Sequence, residues 1–298
     1  MDSHKNFKLK ILKYIKEKNQ LQKYAISFTT TQIRIPKIIP MLDSITKQTI
    51  QPNIILLNIP KSIVVPDKIS EYCKTNDITI NFLNNDYGPA TKLLGALKYS
   101  NINDYDVIIT VDDDICYPKT MIKHYKILNK RYNKCTLGIS GQQFNKNKRI
   151  NSSNGAVTNN FEITETSILE GFASISYIQK FIDNDIFNII NYPYFNIADD
   201  AHLSNYMAKK TNLFVTSSPY LNKNLLNILE YGKETDALHV QNHHNNNYRK
   251  VFNFYNLINN LYIKYPKNTI LKTHDVDNKW NKNKKKPDGN SQYHHITQ

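Results

Sequence analysis

The sequence predicts an α/β fold built on a mostly parallel, doubly wound sheet with helices on both faces, in a single domain. Short apolar runs alternate with segments of helical spacing through the first half of the 298-residue chain. Strands that alternate with helices in this rhythm pair in parallel. The four runs that are typical of strands are 24–28, 53–59, 78–83 and 106–111.

Each element of the first half follows from the local sequence. The first strand opens into the polar stretch 29–31, and the second is stopped by Pro60. The third alternates apolar and polar residues, and the fourth runs straight into three aspartates. Segments 38–45 and 91–99 have helical character and connect the strands.

The second half is less regular. It predicts, in order, a helix at 121–131, a strand at 136–140, a strand region at 167–177, a helix at 201–210, a strand at 213–216 and an amphipathic helix at 247–263. The whole domain is predicted at 23–265. A basic helix or arm at 1–22 precedes it, and the lysine-rich stretch 275–298 is predicted to be disordered.

Composition argues against several classes of protein. Hydrophobic residues make up 40% and charged residues 21%, as in ordinary globular proteins, and the net charge of +14 comes from scattered lysines. The 20 tyrosines are spread throughout, whereas a nucleic-acid-binding protein gathers aromatics and cations on one face. Three cysteines without a Cys-x-x-Cys pair support neither a disulfide framework nor a zinc-thiolate site. With no secretory signal and no apolar run long enough to span a membrane, the sequence predicts a cytoplasmic protein, soluble or peripherally membrane-associated.

Three consecutive carboxylates, Asp112, Asp113 and Asp114, follow directly on the fourth strand. In open α/β sheets, ligands bind just beyond the carboxyl ends of the strands. Because three like charges so close together repel one another, we expect something cationic among them. Carboxylate oxygens suit Mg²⁺ or Mn²⁺, ions that commonly bridge phosphate oxygens. The triplet therefore predicts a metal and phosphate site, with a solvated acidic turn as the alternative.

The stretch 85–97 predicts a second contribution at the same edge. Gly88 and Pro89 break the chain, and Pro89 suits the first position of a helix. The amides of a helix that begins there favour phosphate, and Lys92, one turn in, would add a cation. The spacing is equally compatible with a structural turn and a lysine that faces water.

Two further segments carry candidate residues. Asp199 and Asp200 precede a predicted helix, where one carboxylate is expected to cap free amides and the other is a candidate general base. Gly171 permits close backbone approach beside Glu170 and Phe172. The histidines at 239, 243 and 244 lack a His-Glu-x-x-His spacing and are interpreted as solvated loop residues.

Taken in order, these segments resemble the glycosyltransferases of the GT-A fold, most closely family-2-like members, over about residues 24–262. The motifs that carry the resemblance are SITKQ at 44–48, DYGPATKLLGAL at 86–97, VDDD at 111–114, EGFASISY at 170–177 and ADDAHLSNYM at 198–207. They are similar, respectively, to a phrase of the first helix, the nucleotide-contacting helix, the DxD metal motif, the donor-sugar segment and the acceptor-side Glu-Asp motif. Asp stands at 199 where that last motif has Glu, which leaves open whether Asp199 or Asp200 is the base.

The resemblance implies a Rossmann-like GT-A domain and a role for each of these positions. The residues implied at the donor nucleotide are Thr29, Thr31, Asp86, Lys92, Asp112 and Asp113. Asp114, with Asp112, would ligate the metal. Asp200 would act as the base with Asp199 orienting the acceptor. Those implied at the donor sugar and acceptor are Glu170, Gly171 and Phe172.

The implied activity is metal-dependent, inverting transfer of a sugar from a nucleotide-sugar donor, a UDP-sugar being favoured, to a hydroxyl acceptor. Mn²⁺ or Mg²⁺ is the implied cofactor. A glycan, a lipid-linked or a protein acceptor are all compatible with the sequence, and the basic arm at 1–22 is a candidate for peripheral membrane contact.

Three alternatives remain open from the sequence. A nucleotidyltransferase acting on sugar phosphates would need a glycine-rich loop after the first strand, and the stretch 29–32 lacks glycine. A basic, non-catalytic nucleic-acid-binding protein would show a steep salt dependence of binding. A retaining transferase would use an extra metal ligand from the histidines at 239–244.

Overall fold

The computed structural model describes residues 22–144, 150–154, 161–233, 244–264 and 270–272. Apart from Gln22, the predicted basic arm at 1–22 lies outside these residues. So do the predicted tail at 275–298 and the histidines at 239 and 243. Within the described residues, no helix is both long and apolar enough to cross a membrane.

Strands and helices alternate through the first half, as predicted. The strands of the described chain are β1 (Tyr24–Phe28), β2 (Ile54–Pro60), β3 (Ile78–Leu83), β4 (Val107–Val111), β5 (Ile115–Cys116), β6 (Cys135–Gly138), β7 (Ser140–Phe144), β8 (Ile150–Asn154), β9 (Glu162–Glu165), β10 (Ile168–Leu169), β11 (Ser174–Ile178), β12 (Asn212–Ser217), β13 (Asn227–Ile228) and β14 (Ile270–Lys272). The helices are α1 (Ile39–Thr46), α2 (Asp67–Thr75), α3 (Thr91–Leu94), α4 (Met121–Arg131), α5 (Phe195–Ala208) and α6 (His244–Leu257).

Nine of the described strands form one sheet in the order β14-β9-β12-β6-β11-β4-β1-β2-β3. The α/β class is confirmed. Parallel pairing joins β1, β2, β3 and β4, and also β6 and β12, whereas β11, β9 and β14 run antiparallel to their neighbours. The parallel part coincides with the strands that helices connect, because a parallel pair needs a long crossover. Four of the eight strand pairs in this sheet are antiparallel, so the sheet is more mixed than the sequence predicts.

Side chains of the central strands alternate between two apolar cores, one on each face of the sheet. In β1, Tyr24, Ile26 and Phe28 join the core covered by α1, α2 and α4. Ala25, together with Leu56 of β2, joins the core covered by α3 and α5. Helices therefore lie on both faces, as predicted.

The strand register brings three segments to one edge of the sheet. β1 and β4 are parallel neighbours with Ser27 opposite Thr110, so their carboxyl ends lie side by side. β11 runs antiparallel to β4 with Ser174 opposite Val111, so β11 begins at that same edge. The residues after β1, after β4 and before β11 consequently meet there.

Candidate active site

Asp113 is the most deeply buried member of the aspartate triplet, and both of its carboxylate oxygens are bonded. Thr30 Oγ1 donates to Oδ2 at 2.6 Å, and Arg34 Nη1 lies 3.0 Å from Oδ1. Burial raises the pKa of Asp113, while the Thr30 hydrogen bond and the Arg34 charge oppose that rise. The turn after β1 thus holds Asp113.

Asp114 shares the same guanidinium. Arg34 Nη1 lies 3.1 Å from Asp114 Oδ2. Burial and the charges of Asp112 and Asp113 raise the pKa of Asp114 to about 6, although Arg34 lowers it. Gly232 lies against the same oxygen, since a Cβ at that position would be 2.6 Å from Asp114 Oδ2. The carboxylate is therefore enclosed between Arg34 and Gly232.

A short segment from the second half of the chain covers the triplet. β13 pairs antiparallel with β5, directly after the aspartates. The Leu229 N–H donates to the Asp114 carbonyl and the Tyr231 hydroxyl to the Asp113 carbonyl, both at 2.8 Å. The sequence did not predict this contact, because nothing in the local pattern of residues 227–232 indicates where they pair.

Lys92 connects the triplet to the segment before β11. Its Nζ lies 2.7 Å from Asp112 Oδ1 and donates to the Gly171 carbonyl at 2.8 Å. Asp112 Oδ2 accepts the Ala173 N–H at 2.8 Å. Burial alone would lower the pKa of Lys92, but the charges of Asp112 and Asp200 raise it above its ordinary value. The prediction that Lys92 faces water is therefore wrong.

The paired aspartates lie within α5, and the predicted start of this helix at 201 is wrong. The helix begins at Phe195, after Tyr194 in a left-handed conformation (φ 68°), and is interrupted at Ala198 (φ −153°, ψ 42°). Asp199 follows the interruption directly, so Asp199 and Asp200 begin a second helical run. Ala198 is buried in the core between α5 and α6, which holds the interruption in place.

Asp200 is bonded to the same loop that Lys92 contacts. Its Oδ1 accepts the Gly171 N–H at 2.9 Å, and the Tyr248 hydroxyl donates to Oδ2 at 3.4 Å. Burial and then the charge of Asp199 raise the pKa of Asp200 well above its usual range, and burial also raises the pKa of Asp199. A Cβ at Gly171 would lie 2.8 Å from Asp200 Oδ1 and 2.9 Å from Lys92 Nζ, so a larger residue would displace the ends of these two side chains.

Glu170 and Phe172 flank this glycine and have different environments. Glu170 accepts hydrogen bonds from Ser140 Oγ at 2.5 Å and Gln142 Nε2 at 2.7 Å. Phe172 is exposed, and the ammonium of Lys223 lies 5.7 Å from its ring centroid. Glu170 is therefore fixed by β7, whereas Phe172 lies on the surface beside the site.

The other predicted nucleotide-binding residues lie at the rim. Thr29 is half-buried and Thr31 is exposed. Asp86 is also exposed, and its Oδ1 accepts the Gly88 N–H at 2.8 Å and the Thr91 hydroxyl at 3.3 Å. Asp86 therefore stabilises the turn before α3, and its contact with a nucleotide stays a prediction, as do those of Thr29 and Thr31.

The helix predicted at 91–99 is shorter in the structure. The α-helical part, α3, has four residues and is flanked by 3₁₀ turns at Gly88–Ala90 and Ala96–Lys98. Gly95 packs so tightly that a Cβ would lie 2.5 Å from the Thr91 carbonyl. So short a helix has little macrodipole, and the predicted phosphate site at its N-terminus is not supported.

Sequence reasoning missed Thr30 and Arg34. Arg34 and Lys92 supply positive charge among the aspartates, and only Lys92 had been singled out; the metal ion predicted there stays a prediction. A signal was present: Arg34 follows β1 closely, and the carboxyl ends of neighbouring parallel strands meet at one edge.

Asp112, Asp113 and Asp114 supply hard carboxylate oxygens, the ligand type that divalent cations such as Mg²⁺ and Mn²⁺ prefer. In the described part of the chain, however, no three His, Cys, Asp or Glu side chains converge as a ready-made ligand group. Arg34 Nη1 lies against both Asp113 and Asp114. The predicted ligands, Asp112 and Asp114, are thus residues of a type that binds divalent cations, and Arg34 contacts Asp114.

No protein-family profile and no curated protein matches this sequence. Among solved structures, the chain is similar to residues 1–349 of S. aureus TarS in complex with UDP (TM-score 0.44, 16% identity, 66% of this chain and 60% of that one). It is also similar to the same protein in complex with UDP-GlcNAc (TM-score 0.45, 16% identity, 67% of this chain and 57% of that one). A third match is GalNAc-T7 with UDP, GalNAc and Mn²⁺ (TM-score 0.46, 10% identity, 66% of this chain and 42% of that one).

The chain spans about three fifths of the length of the TarS structures and about two fifths of GalNAc-T7.

Proposed function

We propose that this chain is a glycosyltransferase of the GT-A type, which moves a sugar from a nucleotide-sugar donor to a hydroxyl acceptor with inversion. The observation that carries the proposal is the position of Lys92. Its ammonium bonds Asp112 of the triplet at 2.7 Å and the carbonyl of Gly171, whose N–H bonds Asp200 at 2.9 Å. The implied donor-side and acceptor-side carboxylates therefore belong to one hydrogen-bonded group.

The acceptor side supplies the base. Asp200 takes the proton of the acceptor hydroxyl as its oxygen attacks the anomeric carbon. The bond from that carbon to the diphosphate oxygen breaks, and the electron pair leaves with the nucleoside diphosphate. The raised pKa of Asp200, caused by burial and by Asp199, brings its proton affinity closer to that needed for a base at neutral pH. Asp199, next in the same helical run, is proposed to orient the acceptor.

The donor side holds the diphosphate. Asp112 and Asp114 would hold Mn²⁺ or Mg²⁺, and the ion would supply positive charge that stabilises the leaving diphosphate. Lys92 keeps Asp112 and the loop at Gly171 in register, and its raised pKa keeps it positively charged there. Glu170, Gly171 and Phe172 are proposed to face the donor sugar and the acceptor. The favoured donor is a UDP-sugar.

The test is a panel of nucleotide sugars, with release of nucleoside diphosphate as the readout. One donor is expected to raise the melting temperature of the chain. The same donor should release its nucleoside diphosphate slowly when water takes the sugar and faster when an acceptor takes it. Asp200→Asn is expected to keep the shift in melting temperature and to lose the release. A suitable control is Asp77→Asn, since Asp77 is exposed between α2 and β3, with a positive φ that asparagine tolerates.

Two outcomes would contradict the proposal. If no nucleotide sugar changes the melting temperature, with or without Mn²⁺, the chain is not a transferase of this kind. If the chain instead forms a nucleotide sugar from a sugar phosphate and a nucleoside triphosphate, with release of pyrophosphate, it is a nucleotidyltransferase.

A further inference from the structure

One side chain of the first half holds two members of the aspartate triplet together. Arg34 Nη1 lies 3.0 Å from Asp113 Oδ1 and 3.1 Å from Asp114 Oδ2. The three side chains are only 17%, 8% and 17% exposed, so this is not a solvated surface pair. In such surroundings an ion pair is much less screened than at the surface.

The backbone around Arg34 is fixed independently of the aspartates. The Thr31 carbonyl accepts the N–H groups of Arg34 at 3.1 Å and Ile35 at 2.9 Å, which closes a turn after β1. Ile35 is fully buried and begins the 3₁₀ turn Ile35–Lys37, whose second residue is Pro36. The guanidinium is therefore directed at the triplet by a rigid turn.

Two cations pair with the three carboxylates of the triplet within the described residues. Arg34 bonds Asp113 and Asp114, while Lys92 bonds Asp112. Asp113 is satisfied by Thr30 and Arg34 together, whereas Asp114 is contacted by Arg34 at one oxygen. Arg34 thus lies against a carboxylate that the proposed function assigns to the metal.

We propose that Arg34 is the resident counter-ion of the triplet and that it competes with a divalent cation for Asp114. This inference rests on the assignment of Asp112 and Asp114 as metal ligands under the proposed function. A dication bound to Asp114 would repel a guanidinium that contacts the same carboxylate. Metal binding therefore requires Arg34 to withdraw from Asp114. Arg34 is a positioning residue in this account, since it sets how tightly the chain holds metal in the absence of donor.

The experiment is a titration of the full-length chain with Mn²⁺ in the absence of nucleotide, with free Mn²⁺ measured by electron paramagnetic resonance. The variants are Arg34→Gln, which removes the charge, and Arg34→Lys, which keeps the charge but cannot bridge two carboxylates in the same way. A charge-matched control is Lys74→Gln, because Lys74 is exposed in the last turn of α2.

The expected affinity for Mn²⁺ increases from the wild type through Arg34→Lys to Arg34→Gln, with the last about tenfold or more above the wild type. Lys74→Gln should bind as the wild type does. Arg34→Lys carries the test by itself if Arg34→Gln does not give a cooperative melting transition. Equal, weaker or undetectable binding in the Arg34 variants would overturn the inference.

The two proposals fail in different ways. A chain that shows this order of Mn²⁺ affinity but accepts no nucleotide sugar would contradict the proposed transferase and leave the competition standing. A chain that releases nucleoside diphosphate while Arg34→Gln binds Mn²⁺ no more tightly than the wild type would do the reverse.

Discussion

The Nζ atom of Lys92 lies 2.7 Å from Oδ1 of Asp112, and both side chains are largely shielded from solvent, with 12% and 20% exposed. The pair joins α3 to the residues after β4, and the second bond of Lys92, to the Gly171 carbonyl, brings in the segment before β11. Three segments that are distant in sequence depend on this one cation.

Lys92→Met is therefore expected to be costly. Removal of one partner leaves the Asp112 carboxylate without its counter-charge, which typically costs about 3 kcal/mol in the free energy of unfolding. The double variant Lys92→Met/Asp112→Asn should lose less than the sum of the two single variants, because the unpaired charge is gone. Urea denaturation measures all of these, and strictly additive losses would show that the pair does not couple.

Gly232→Ala is expected to displace Asp114. The new Cβ would lie 2.6 Å from Oδ2 and 2.8 Å from Cγ of that residue, so the carboxylate or the covering segment has to move. We expect a loss of about 1–3 kcal/mol in stability and a loss of donor binding, seen as a smaller shift in melting temperature.

The matched control is Gly138→Ala, whose Cβ would meet Leu169 Cδ2 at 2.9 Å. Gly138→Ala should lose stability without losing donor binding. Normal donor binding by Gly232→Ala would contradict the role of this close contact.

His124 predicts a pH dependence of stability that is separate from the site. Its ring nitrogens lie 2.7 Å from the hydroxyls of Ser218 and Thr216, and the ring stacks on Phe161. Burial lowers the pKa of His124 to about 3, below the ordinary value of 6.5. The unfolded chain therefore binds more protons than the folded one between these values. The stabilisation is complete above about pH 6.5 and is lost as the pH falls towards 3, at up to about 1.4 kcal/mol per pH unit.

His124→Gln should flatten this dependence in urea denaturation between pH 7 and pH 4. Burial also lowers the pKa of His202, to about 4, so His202→Gln should remove a further part of the slope. The comparison of each variant with the wild type isolates the histidine from the carboxylates, whose raised pKa values act in the opposite direction. An unchanged slope in His124→Gln would show that this histidine is not held in its neutral form.

Asp200→Asn is expected to reduce the rate of transfer about 10²–10⁴-fold, the usual contribution of a general base, while donor binding is retained. In the wild type, the rate should rise with pH through the raised pKa of Asp200, because only the ionised carboxylate accepts the proton. Calorimetry and a pH profile of turnover check the two statements. Loss of donor binding in Asp200→Asn would exclude this residue as the base, and Asp199→Asn would then be the variant to compare.

The parallel half of the fold could be predicted because each of its strands is a short, largely apolar run that ends at a polar stretch or at a proline. β4 passes directly into the aspartates, so both the strand and its functional end are visible in one stretch of sequence. The direction of β11 could not be predicted, since a buried five-residue strand such as SISYI pairs equally well in either sense. Its antiparallel pairing with β4 is what brings the Ala173 N–H to Asp112.

Site residues were predictable where they belong to a run of like residues or to a motif that resembles a known family, and not where strand pairing alone brings them to the site. The aspartate triplet and the pair at 199–200 were recognised from their own sequence. Arg34 and Tyr231 are single polar residues in short turns, and their contacts with the triplet depend on strand register over 79 and 118 residues. The repulsion among the aspartates predicted a positive charge, which the sequence assigned to a metal ion; that Arg34 also supplies charge there depends on where the turn after β1 points.

The central claim is that the edge of the sheet at Asp112–Asp114 receives a nucleoside diphosphate together with a divalent cation. A crystal structure of the chain grown with Mn²⁺ and UDP tests it most directly. We predict an ion at Asp114 and Asp112 in contact with the diphosphate, and Arg34 withdrawn from the Asp114 carboxylate. UDP bound elsewhere, or this edge without ion and diphosphate while Arg34 still bridges Asp113 and Asp114, would contradict the account.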